Sequence, residues 1–166
     1  MLFLLLFAVL LHEIGHILLL WVSGGKLRGI SLSLCGITLQ AEYPPSYLSK
    51  ILISLGGPLI GILAFFCCHG IGGTLHQFAE INLTLSLFNL LPISFLDGGS
   101  ILNSLLLLFL PYEMASQISR TLSLCLITLL WSFSVYLFLF LNSNPSLFFL
   151  SLWFFFSLLG FKEKQS

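Results

Sequence analysis

Charge is what this sequence has least of. Among its 166 residues only 7% are charged, six Lys or Arg against six Asp or Glu. Soluble globular domains carry about 25% charged residues, so this composition excludes a soluble enzyme. A net charge of zero leaves no basic surface able to hold nucleic acid against counterion competition. Cysteine is scarce too. Cys35, Cys67, Cys68 and Cys125 show no C-x-x-C spacing, and neighbours such as Cys67 and Cys68 bridge each other only under strain, so all four are read as reduced. A basic leader and a small-residue cleavage site are also missing around residues 1–11, which reads as a retained helix and not a secretory signal.

What is present is apolar: 58% of the residues are hydrophobic, and the mean hydropathy is +1.09. A membrane helix needs about 20 mostly apolar residues. Cutting the chain at its polar clusters, charges and Gly/Pro interruptions predicts an all-α polytopic membrane protein, a single domain over 1–166 with about five spans in the lipid bilayer. They run about 2–22, 48–68, 78–110, 118–141 and 147–161, the third too long for one straight helix and so broken. Lys26, Arg28, Lys50, Arg120, Lys162 and Lys164 then all fall on one side, which the positive-inside rule makes the cytoplasm, with the C-terminus inside. Between the first two spans, 30–41 alternates apolar and small polar residues around Cys35-Gly36. That period of two predicts a small membrane-associated β-hairpin, the alternative being a loop resting on lipid headgroups.

Ionisable groups within hydrocarbon cost about 2.5 to 3.5 kcal/mol each, so they are rare there and usually functional. The first span holds three: His12, Glu13 and His16, in the pattern H-E-x-x-H. At 100° per residue, positions four apart share a helix face, so both imidazoles can ligate one Zn²⁺ while Glu13 reaches a water activated by the same ion. The bland alternative is a pair of core histidines held by a glutamate. His12 is about 16 Å along the helix from Met1, near the middle of a bilayer.

A catalytic zinc site normally has three protein ligands. His69, His76, Glu42 and Glu80 are candidates, but the span arrangement places both histidines in an external loop over 69–77 and Glu42 at the cytoplasmic surface. Asp97 matches the depth. It lies in the broken third stretch, where Pro92 removes a backbone hydrogen bond and Gly98 and Gly99 loosen the chain. Non-helical backbone at that depth is tolerated only when buried in protein or lining a polar cavity, so Asp97 is expected to face an interior cation. The competing partner for Asp97 is Arg120. Asn89 either donates to a substrate carbonyl or caps freed backbone.

With H-E-x-x-H in one span and N-x-x-P-x-x-x-x-D-G-G in a later one, the chain resembles the site-2 protease family of intramembrane zinc metalloproteases. Asn89-Leu-Leu-Pro92, Leu96-Asp97-Gly98-Gly99 and a body without an inserted PDZ domain look most like its sporulation-type members. Gly57-Pro58 is similar to the family's Gly-Pro element. Phe95 stands where sporulation-type members commonly have proline, and residues 59–61 read Leu-Ile-Gly where many have an asparagine. Those members also tend to start one helix earlier and to end in a CBS domain.

The resemblance implies one Zn²⁺ per chain on His12, His16 and Asp97, and Glu13 as general base. It implies a membrane-tethered protein substrate such as a sporulation sigma-factor precursor, inhibitory membrane proteins as further partners, and residence in the cytoplasmic membrane, for a sporulation type the mother-cell membrane around the forespore. Substrate is expected to pair with the hairpin near Ile37 and Leu39 and to pass Asn89 and Pro92. The reading from another class is a metal-binding or transport protein without enzymatic activity, against which Glu13 speaks, since transport needs ligands but no additional carboxylate.

Overall fold

A computed structural model describes residues 1–33, 36–41, 46–141 and 146–160. The elements, in chain order, are α1 (Leu2–Val22), β1 (Leu27–Ser33), β2 (Gly36–Ala41), α2 (Tyr47–Cys68), a short 3₁₀ turn (His69–Ile71), α3 (Gly73–Asn89), α4 (Asp97–Phe109), α5 (Tyr112–Leu141) and α6 (Ser146–Gly160).

Helix α1 is built inside out relative to a soluble protein. Its Phe3, Phe7, Leu10, Ile14 and Leu18 are exposed, while Ala8, His12, Gly15, His16 and Leu20 form the buried face. Apolar side chains gain nothing by leaving a surface of lipid tails, so small and polar residues take the protein interior. Helices α1, the α2 segment Tyr47–Ile71 and the α5 segment Tyr112–Phe140 are long and apolar enough to cross a membrane. The chain is a membrane protein.

The stripe Ser54, Gly56, Gly57, Pro58 and Gly61 is the buried face of α2. It makes α2 the central helix, with α1, α3 and α4 packed around it. A Cβ on Gly15 would run into the Gly56 carbonyl, and one on Gly56 into the Gly15 carbonyl. The two backbones therefore touch, as small-residue faces allow in membranes.

At the far end of α2 the chain reverses through Gly72 and Gly73, at φ +82° and +59°. The left-handed backbone tightens this turn, so α3 begins at Gly73 and takes in His76 and Gln77, which the sequence had suggested as loop. The long third stretch is two helices. Their break is pinned by Ile93, which is fully buried against Ile127 and Phe154, and by Ser123 of α5, whose hydroxyl accepts from the Ser94 N–H at 3.0 Å.

Strands β1 and β2 pair antiparallel, with Leu32 opposite Ile37 and Ile30 opposite Leu39. Cys35 and Glu42 lie outside the described residues. Cys67, Cys68 and Cys125 are free thiols.

Candidate metal centre

Three elements supply the centre. Helix α1 presents His12 and His16 one turn apart, with ring centroids 4.9 Å apart and planes at 80°. Helix α4 begins with Asp97, whose carboxylate lies in its first turn, where the helix dipole favours negative charge. Helix α2 lies across both. His12 Nε2 is 3.0 Å from Asp97 Oδ2, and His16 Nε2 is 3.3 Å from the same oxygen. Both histidines are buried. Asp97 is paired with them and not with Arg120, which is exposed.

His16 Nδ1 is 2.7 Å from the Ile53 carbonyl oxygen. A carbonyl only accepts, so Nδ1 carries a proton, and when the ring is neutral the lone pair of Nε2 is the one turned towards Asp97. A lone pair and a carboxylate oxygen at 3.3 Å are held together by a cation or a proton between them. Ligand atoms at ~2.0 to 2.1 Å from a tetrahedral Zn²⁺ stand about 3.3 Å apart, and the spacing here matches. Gly57 completes the cradle. A Cβ there would lie 2.5 Å from His12 Nε2 and 2.5 Å from His16 Nε2, in the space where the ligating nitrogens converge. The donor set therefore fits a zinc ion, with His16 oriented through a backbone carbonyl in the manner common around zinc.

Asp97 owes its position to several contacts. Cβ atoms on Gly98 and Gly99 would collide with the Leu90 and Ile93 carbonyls, so the two glycines let the broken segment fold back over the start of α4. Ser54 of α2 donates to Ser100 of α4 at 3.0 Å, one turn from Asp97. Ser54, Ser100, Ser123 and the cradle role of Gly57 were not suggested by the sequence, where a buried serine reads like one facing lipid.

Glu13 is half-buried beside His12, and among the described residues its carboxylate makes no hydrogen bond or ion pair. The Asn89 amide donates to its own helix, to the Leu85 carbonyl at 3.0 Å. Pro92 lies in the break, and Ile37 and Leu39 are on β2. His69, His76 and Glu80 are not brought to the centre; they group together at the opposite end of α2 and the start of α3.

Gly57→Ala should weaken zinc binding about 10- to 100-fold, the range found when ligand orientation is disturbed, while helical content stays unchanged. Equilibrium competition against a chromophoric chelator measures it. Unaltered affinity would mean the ion is not held in this cradle.

Comparison with known proteins places the chain among relatives. The sequence pattern described as "Peptidase family M50" matches residues 66–130, which contain Asp97 and the break but not His12 or His16. Stage IV sporulation protein FB of Bacillus subtilis is 32% identical over 135 residues, covering 76% of this chain and 47% of that protein. A zinc metalloprotease of Methanocaldococcus jannaschii is 33% identical over 144 residues, covering 78% of this chain and 42% of that one. The chain thus spans less than half the length of these relatives. The solved structure of the site-2 protease from Methanocaldococcus jannaschii superposes with a TM-score of 0.70 at 25% identity, covering 95% of this chain and 75% of that one. Zn²⁺ is the cofactor that these relationships bring with them, and the chain belongs to the peptidase M50 family, the site-2 proteases.

Proposed function

We propose that the chain is an intramembrane zinc endopeptidase that hydrolyses a peptide bond within or beside the membrane segment of a tethered protein. The observation that carries this reading is the convergence of His12, His16 and Asp97 with Glu13 adjacent on the same helix. His12, His16 and Asp97 would hold the ion. When bound, Zn²⁺ supplies Lewis-acid chemistry, polarising a carbonyl oxygen and making water acidic.

The remaining steps belong to the protein. Glu13 accepts the proton of the attacking water on a carboxylate oxygen and delivers it to the nitrogen of the departing amine. His16, tied to the Ile53 carbonyl, keeps its Nε2 aimed at the centre. A membrane helix hides its carbonyls in intrahelical bonds, so the substrate must unwind before one can be reached. Strand β2 offers Ile37 and Leu39 for pairing with the unwound segment, and Asn89 and Pro92, half-buried at the break between α3 and α4, would line its path.

Five crossings follow if α3 and α4 together count as one broken span and α6 as the last. The likeness to sporulation-type members points to a membrane-tethered sigma-factor precursor as substrate. The chain reconstituted in lipid vesicles with a membrane-tethered reporter should cut it. Chelation should abolish cutting and added Zn²⁺ restore it, whereas cleavage that survives chelation would refute the metalloprotease.

A further inference from the structure

A second group of metal-binding side chains lies away from this centre. His69 Nδ1 is 3.0 Å from Glu80 Oε1, and His76 Nε2 is 4.0 Å from the same oxygen. The three donor atoms all fall within 4.8 Å of one another. Helix periodicity places His76 and Glu80, four residues apart, on one face of α3, and the Gly72-Gly73 reversal brings His69 over them.

We propose that His69, His76 and Glu80 form a second cation site, selective for a divalent transition metal such as zinc, at the membrane-surface end of α2 and α3. The donors are two imidazoles and a carboxylate, a set suited to zinc. His76 is already oriented. Its Nδ1 donates to the His69 carbonyl at 3.0 Å, which fixes the tautomer and leaves the Nε2 lone pair free for the metal. The His69 and His76 ring centroids lie 4.7 Å apart at a 45° tilt, and His69 packs on Phe65 at 4.6 Å. Bringing donors that lie within 4.8 Å of one another to the ~3.3 Å of a tetrahedral site needs movements of no more than about 1.5 Å, by side chains of which His76 is 44% and Glu80 48% exposed. That exposure gives an ion a path in and lets water take the remaining position.

His69 is 12 residues beyond Gly57 on α2, about 18 Å further along the axis, so this site cannot share the buried ion. A cation there would tie the turn between α2 and α3 to the first turns of α3. The site stands independently of the protease reading.

The test is titration of metal-stripped, detergent-purified protein with Zn²⁺ alone, in competition with a chromophoric chelator. Wild type should take up two equivalents. His76→Ala and His69→Ala should each take up one and keep their cleavage activity, and the double variant His12→Ala/His16→Ala should also take up one, with cleavage lost. Saturation of wild type at one equivalent would overturn the proposal and leave His69 and Glu80 as a simple ion pair. So would a second equivalent that persists in His76→Ala and His69→Ala, or one lost only on replacing Cys67 and Cys68 by serine.

Discussion

Glu13→Gln should keep its zinc and its fold and lose cleavage by 10²- to 10⁴-fold or more, the range for removal of a general base. The amide is nearly isosteric with the carboxylate, so packing on the half-buried side of α1 is preserved. What disappears is a site that can take a proton from water. Parallel measurement of bound zinc and of reporter cleavage separates the two roles. Near wild-type cleavage would remove Glu13 from the mechanism, and simultaneous loss of zinc would make it a ligand instead of a base.

Asp97→Ala should have the larger effect on the metal, lowering affinity at the buried centre by more than about 100-fold, since loss of a ligand exceeds the 10- to 100-fold typical of an outer-shell partner. It also removes the carboxylate oxygen that faces His12 Nε2 at 3.0 Å. The helix itself should survive, because α4 stays fixed by the Ser54–Ser100 bond and the segment before it by Ser94 and Ser123. Competition titration in a His76→Ala background isolates the buried centre. Affinity equal to that of the background would show that Asp97 only orients the histidines.

How much of this was written in the sequence differs from residue to residue. That His12 and His16 share a face follows from four-residue spacing alone, and their lipid-like surroundings made the pair conspicuous. Asp97 could be placed by depth, because an aspartate next to Pro92, Gly98 and Gly99 in an overlong apolar stretch has few other uses. The serines were invisible. Nothing in sequence separates Ser123, fully buried against the broken segment, from a serine that bonds its own helix and faces lipid, such as Ser132. Gly57 could be recognised as part of a Gly-Pro element, but its role as the cradle exists only once α1 lies on α2. Asn89 was open between two uses, and its donor is taken up by Leu85 of its own helix. The pairing of His69 with Glu80 depends on left-handed backbone at Gly72 and Gly73, which composition does not announce. The hairpin showed its period of two over 30–41, whereas the strands run Leu27–Ser33 and Gly36–Ala41 because pairing continues outward past the alternating stretch.

Hydrolysis of a peptide bond at the buried zinc centre is read from the mass of the reporter fragments when the reconstituted reaction runs in ¹⁸O-enriched water. The expected result is two fragments meeting at one bond within or next to the membrane segment, one ¹⁸O in the new carboxyl group, and neither fragment when Glu13→Gln replaces the wild type. Intact reporter alongside folded, zinc-loaded wild-type protein, with a tethered substrate that has helix-breaking residues near the membrane, would contradict it.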